Sequence, residues 1–300
     1  MAFTTPTAEQ IQAQFPQIEE VEFIQKGGFK AVYRAQIAGR LEAFKLVHIP
    51  NLQGEEFAEE FREECLKRIT REVQVLGRCQ TPFLVKLGSL PPTEAHLGDQ
   101  EFVAYTEEFL CGDDLKKLID QRSKPDEYDV RALAVCLLKA IRELWGMGII
   151  HRDIKPGNVI KLNDPQRPFV LLDLGIAYSI VDTPLTFGAE HRPPPGTFRY
   201  LAPEMLQPNF RVSLDFRSDI YTTGLTVFEY AAGQHPLAEG RDDLVTTLSR
   251  ILRERPKPLA QFRPEFSPMV LRTVDQMLKK WPALRPANLD ELIARLEVRP

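Results

Sequence analysis

The sequence predicts an α+β fold in two parts: a small β-rich part carrying one long helix, then a larger, mainly helical part. Three observations predict it. Between residues 21 and 47 the apolar residues fall in short alternating runs rich in β-branched and aromatic types, the period of half-buried strands. Between 55 and 78, Phe57, Phe61, Cys65, Ile69, Val73 and Leu76 recur at helical steps within a charged stretch. From 130 onward the helical period dominates, and 219–232 is apolar nearly all round, as a helix in the middle of a large lobe is.

Taken in order, residues 1–17 read as an N-terminal extension, a disordered tip followed by a short helix around Ile11 and Phe15. Val21–Ile24, Ala31–Ile37 and Leu41–Val47, separated by Gly27-Gly28 and Gly39-Arg40, form an antiparallel meander. The long helix follows, then two further strands, Phe83–Leu90 and Glu101–Thr106. Past a boundary near Glu108–Asp113, Val130 to Leu144 predicts an amphipathic helix stopped by Gly146 and Gly148. Asn158–Leu162 and Phe169–Leu172 look like a short strand pair, and the Pro-rich stretches at 193–195 and 256–258 mark loops. Asn288 caps a last helix carrying Leu289, Leu292, Ile293 and Leu296 on one face. The divisions are 1–17, 18–110 and 111–298.

Composition narrows the function classes. The 38 basic and 42 acidic residues leave a net charge of −4, without the basic excess expected of a nucleic-acid binder. No apolar run approaches the roughly 20 residues that span a bilayer, and the N-terminus has no secretory pattern. Cys65, Cys79, Cys111 and Cys136 form no C-x-x-C pair, so reduced thiols in a cytoplasmic protein are expected.

Three segments carry chemistry. The first is His151-Arg152-Asp153-Ile154-Lys155-Pro156-Gly157-Asn158-Val159, directly after the amphipathic helix. The second, Asp173-Leu174-Gly175, ends an apolar run and lies 20 residues beyond Asp153 (173 − 153). The third is Gly196-Thr197-Phe198-Arg199-Tyr200-Leu201-Ala202-Pro203-Glu204. In this order they resemble the catalytic loop, the metal-binding D-F-G and the A-P-E end of the activation segment of eukaryotic-type (Hanks-type) serine/threonine protein kinases. The short lead-in around Phe15-Pro16 and the sparse insertions suggest a bacterial member.

The resemblance covers residues 18–298 and implies the bilobal protein-kinase fold, with transfer of the γ-phosphoryl of ATP to Ser/Thr hydroxyls of protein substrates. Asp153 is then the base, Lys155 lies against the transferred phosphate, and Asn158 and Asp173 hold Mg²⁺ or Mn²⁺. Lys45, in Ala43-Phe44-Lys45, contacts the α- and β-phosphates, with Glu72 as its helix partner and Glu63 and Glu64 as rivals. Gly27 and Gly28, ahead of Val32, cover the phosphates, although Gln25 and Lys30 replace two glycines of the family pattern. Glu108 falls in the hinge, with either Glu107 or Thr106 at the gatekeeper position. Arg152 pairs in such kinases with a phosphorylated loop residue, for which Thr183 and Thr186 are the candidates; Thr197 belongs to the same segment. Glu204 pairs with Arg285, and Asp219 braces the catalytic loop. Two further departures are Leu174 for Phe and Trp281 for Asp. The altered glycine loop keeps open a pseudokinase, an ATP-binding scaffold without turnover. A small-molecule phosphotransferase on a similar scaffold is a second rival, against which the 196–204 segment argues. The oligomeric state is not legible.

Overall fold

The computed structural model describes residues 3–51, 58–174, 197–207, 214–238 and 242–297. The chain divides into two compact units. One contains Met1–Cys79 and Val85–Leu110, the other Gln80–Leu84, Cys111–Leu174 and Pro195–Pro300.

The first unit is built on an antiparallel sheet of β1 (Ile18–Lys26), β2 (Lys30–Ile37), β3 (Arg40–Ile49), β4 (Thr93–Leu97) and β5 (Gln100–Glu108), in the order β1-β2-β3-β5-β4. Ala38 (φ 50°) and Gly39 (φ 75°) give β2 and β3 the left-handed two-residue turn whose twist suits a hairpin. One face of the sheet carries Phe44, Leu46 and Phe102, packed with Phe3, Ile11 and Phe15. Helix α1 (Ala8–Gln14) is closed by a reciprocal capping box between Thr7 and Gln10. The chain from Phe3 onward is therefore part of this core: the Phe3 ring stacks on His48 at 5.1 Å, and the Tyr33 hydroxyl donates to the Pro6 carbonyl at 2.6 Å. The other face carries Val47, Ile49, Val103 and Tyr105, covered by Cys65, Ile69 and Val73 of helix α2 (Ala58–Arg78).

The segment expected as a strand over Phe83–Leu90 is not one. Its pairing is limited to isolated bridges, Leu84 with Leu171 and Leu87 with Glu107, joined by single backbone bonds such as Glu108 N to the Lys86 carbonyl, and the edge strand is β4, which follows Pro91-Pro92. The reason lies in where its N–H groups go. Gly88 N donates to the Thr106 carbonyl at 2.8 Å, but the N–H groups of Lys86, Ser89 and Leu90 go to the side chains of Glu108, Glu42 and Thr106 at 2.8, 2.9 and 2.9 Å, so the main-chain bonds to β5 do not run on into a ladder. Gly88 is required there, because a Cβ would lie 2.4 Å from both Glu42 Oε2 and Thr106 Oγ1.

The second unit holds a short sheet, β6 (Gly112–Asp114), β7 (Val159–Leu162) and β8 (Phe169–Leu171), in that order. No apolar alternation marks β6 in the sequence. Gly112 makes it possible, since a Cβ there would sit 2.2 Å from the Lys161 carbonyl on β7. Among the described residues its α-helices are α3 (Leu115–Asp120), α4 (Glu127–Gly146), α5 (Phe216–Ala232), α6 (Leu244–Arg253), α7 (Pro268–Met277) and α8 (Leu289–Glu297). Ser218 to Ala231 of α5 are all buried, polar Asp219, Thr222, Thr223 and Thr226 included, and Gly233 (φ 71°) ends the helix in the left-handed region. Asn288 caps α8 by accepting from the N–H groups of Asp290 and Glu291.

Candidate active site

The loop between α4 and β7 folds around Asp153. Lys155 Nζ lies 2.8 and 2.7 Å from the two carboxylate oxygens of Asp153. Asn158 Nδ2 donates to Asp153 Oδ2 at 2.8 Å and to the Asp153 carbonyl at 2.9 Å. All three side chains belong to one turn, and the short helix Pro156–Asn158 brings the amide of Asn158 back toward the acid.

Asp219, at the first turn of α5, fixes this loop from below. Its two oxygens accept from the backbone N–H of His151 at 2.7 Å and of Arg152 at 2.9 Å. The carboxylate is fully buried, and burial pushes it up from the ordinary carboxylate range, opposed by His151, Arg152 and the two N–H groups. Arg152 (φ 70°) and Asp173 (φ 46°) adopt left-handed backbone, which costs a non-glycine residue roughly 1–2 kcal/mol. Such conformations persist where the surroundings over-determine them. Arg152 is held by Asp219. Before Asp173, Leu172 N donates to the Asn158 carbonyl at 2.8 Å, and the Leu172 carbonyl lies 3.2 Å from His151 Nε2. Asp173 thus starts one residue from a backbone bond to Asn158.

The end of the 196–204 segment is anchored to the same helix. Glu204 and Arg285 form a buried bidentate pair at 2.6 and 2.8 Å. The remaining guanidinium donors reach the carbonyls of Lys279, Arg217 and Lys280 at 2.7, 2.9 and 2.8 Å, and the guanidinium covers the Tyr221 ring at 4.6 Å. The whole fork is satisfied. Ser218 Oγ adds a bond to Glu204 at 2.7 Å. Tyr200 donates to Glu229 at 2.5 Å and packs edge-on against His235. The His235 ring accepts from the N–H groups of Leu237 and Ala238, and burial pulls its pKa down to about 3.

In the first unit, Lys45 lies on β3 opposite Tyr105 of β5, and Ala43 lies opposite Glu107. Same-face neighbours on paired strands meet, and the buried ammonium of Lys45 pairs with the Glu107 carboxylate. Thr106, opposite Phe44, faces the other side of the sheet, where its hydroxyl accepts from Leu90 N. Glu72 is buried on α2, beside Val73 of the layer that covers the Lys45 face. Its rivals Glu63 and Glu64 make exposed pairs with Lys67 and Arg68. Val32 lies opposite Lys45 on β2, and the glycine turn before it is closed by Gly27 N donating to the Lys30 carbonyl at 2.7 Å. Glu108 ends β5, its carboxylate accepting from Lys86 N at 2.8 Å.

The family described as the protein kinase domain matches residues 18–295. The chain belongs to this family. It is 29% identical over 283 residues to the serine/threonine-protein kinase pkn3 of Myxococcus xanthus, covering 91% of this chain and 48% of that protein. It is 34% identical over 183 residues to the dual specificity mitogen-activated protein kinase kinase mek-1 of Caenorhabditis elegans, covering 60% of this chain and 48% of that protein. The chain thus spans about half the length of these relatives. Among solved structures, the kinase domain of Mycobacterium tuberculosis PknI matches with a TM-score of 0.63 at 21% identity, covering 99% of this chain and 98% of that one. That likeness concerns the fold, which is the α+β protein-kinase fold with a β-rich N-lobe and a helical C-lobe.

Kinases of this family use ATP and a divalent metal. Among the described residues no three Asp, Glu, His or Cys side chains form a metal-holding group. The donors on offer are oxygens, those of Asn158 and Asp173, which suits a hard cation whose shell is completed by phosphate. The Asn158 amide nitrogen is committed to Asp153, so its oxygen is turned the other way.

Thr183 and Thr186 lie outside the described residues, as do Gly175 and Gly196, and Thr197 is described in its backbone only. Leu174 is buried, so the Leu-for-Phe exchange keeps an apolar plug. Trp281 is exposed and makes no cap to the turn Pro282–Leu284. Sequence reasoning did not anticipate the Lys45–Glu107 pair, which depends on the register of β3 with β5. The alternation of Lys45 and of Tyr105 and Glu107 along their strands is visible in the sequence, but the register that brings them together is not.

Proposed function

We propose that the chain transfers the γ-phosphoryl of Mg-ATP to serine and threonine hydroxyls of protein substrates. The observation that carries this reading is the closed Asp153–Lys155–Asn158 cluster braced by Asp219. Asp153 takes the hydroxyl proton as the oxygen attacks phosphorus and the bond to the ADP oxygen breaks. Lys155 lies beside that carboxylate, where its charge offsets the negative charge on the transferred group. Asn158 and Asp173 would hold the metal, which neutralises charge on the phosphates when bound. Lys45 contacts the α- and β-phosphates, under the turn of Gly27 and Gly28. Autophosphorylation at Thr183 or Thr186 belongs to the same reading, with Arg152 as the charge that pairs with the phosphate.

No helix among the described residues is long and apolar enough to cross a membrane. A cytoplasmic signalling role fits a domain whose co-substrate is ATP. The test is phosphate transfer from Mg-ATP to the protein itself and to a generic basic protein, comparing the wild type with Asp173→Ala. Transfer that disappears in the variant supports the reading. ATP binding without transfer in either points to a pseudokinase, and transfer only to small hydroxylated acceptors points to a different phosphotransferase.

A further inference from the structure

We propose that Glu107 is a positioning residue for Lys45: a counter-charge that aims the phosphate-binding lysine comes from strand β5. The inference rests on the reading of the chain as an ATP-dependent kinase. Lys45 is 3% exposed and Glu107 1% exposed, so each charge is taken out of water and is offset by the other. The Lys45 ammonium also lies 5.8 Å from the centre of the buried Tyr105 ring, the residue opposite it on β5. Carboxylate and ring are two residues apart on one strand and share one face, so both aim the ammonium from the same element.

The mount matters as much as the contact. β3 and β5 are locked in unbroken register from Glu42 opposite Glu108 to Ile49 opposite Glu101. A main-chain ladder fixes the separation of Lys45 and Glu107 more tightly than side-chain packing fixes a helix on a sheet. Glu72, on α2, is carried by that looser contact, through Ile69 and Val73. An ammonium has three donors, so keeping Glu107 does not prevent Lys45 from donating to phosphate. Thr106 cannot serve in this way, because it faces the opposite side and is bonded to Leu90.

The test compares wild type, Glu107→Gln, Glu107→Asp and Glu72→Gln by kcat and KM for ATP, by calorimetric ATP affinity and by melting temperature. Glu107→Gln is expected to lower kcat/KM for ATP at least tenfold and Glu107→Asp to recover part of the loss, while Glu72→Gln reads what the helix glutamate contributes on its own. In a Lys45→Met background, where an apolar pair keeps the site packed, Glu107→Met is expected to add no further loss of ATP affinity. Wild-type or improved kcat/KM in Glu107→Gln overturns the proposal and makes the pair a competitor of the phosphates. An added loss in the Lys45→Met background also overturns it, since Glu107 would then act on something else. Absence of transfer by the wild type would instead fail the kinase reading, and the ATP affinities of the same variants would still decide whether Glu107 acts through Lys45.

Discussion

In the second unit a buried carboxylate, Asp219, meets two backbone N–H groups; in the first, a buried ammonium, Lys45, meets the side-chain carboxylate of Glu107. Backbone donors are carried by the fold itself and cannot rotate away, so the Asp219 contact specifies a loop conformation, including the left-handed Arg152. A pair of side chains specifies only where one charge points. On the proposed kinase reading, Lys45 has to share its partner with phosphate, whereas the Asp153 loop has to keep its shape throughout a cycle. The chain thus uses main-chain bonds where geometry has to persist and a charge pair where a donor has to stay available.

The sharpest way to break the comparison is at the centre of the loop. Asp153→Asn is expected to lower kcat by about 10²–10⁴-fold, in line with loss of a positioned base, while the melting temperature changes little; a steady-state assay with saturating ATP checks this. Next comes the brace. Asp219→Asn turns one acceptor into a donor facing an N–H, at a cost of about 2–4 kcal/mol in urea unfolding, and activity falls with it. The Glu204–Arg285 pair offers a further comparison within the second unit. Arg285→Lys keeps the charge but abandons most of the five donors, and a loss of about 3 kcal/mol is expected in the same assay.

How much was legible in the sequence follows the same division. The catalytic loop is local: residues 153, 155 and 158 fold onto one another, so their spacing displays their chemistry. Asp219 and Arg285 act at long range, and only the family resemblance pointed to them. The pairing of Lys45 with Glu107 is harder to read, and it stands beside the expected helix partner Glu72 rather than in its place. A glutamate-rich helix offered Glu63, Glu64 and Glu72, and nothing along the chain says that β3 and β5 pair so that Ala43 faces Glu107. The strand expected at Phe83–Leu90 failed for a related reason. Its alternation is real, but the side chains of Glu108, Glu42 and Thr106 take up the N–H groups of Lys86, Ser89 and Leu90.

The smaller predictions sharpen the contrast between buried and exposed groups. His235 is held neutral by burial, its folded pKa depressed to about 3 against an ordinary 6.5. Between those values the unfolded chain binds the extra proton, so stability falls as pH falls from about 6.5 toward 3, by on the order of 4 kcal/mol. His235→Asn, whose side-chain oxygen can still accept from Leu237 and Ala238, is expected to flatten that slope in denaturant titrations at several pH values. Smallest of all, Glu63→Ala removes an exposed pair with Lys67 and should change stability by about 0.3–0.5 kcal/mol, with kcat/KM for ATP unaltered.

The fork of Arg285 bears on how the protein is made. Glu204 and Arg285 are 81 residues apart in sequence, and the chain emerges from the ribosome from its N-terminus. At roughly 5–20 residues per second, Glu204 waits several seconds for its partner. Until then the floor of the helical lobe contains a carboxylate that cannot be buried at low cost. Completion of this lobe is therefore tied to arrival of the last helices, and a nascent chain stopped short of Arg285 should remain open to proteolysis at the end of its 196–204 segment.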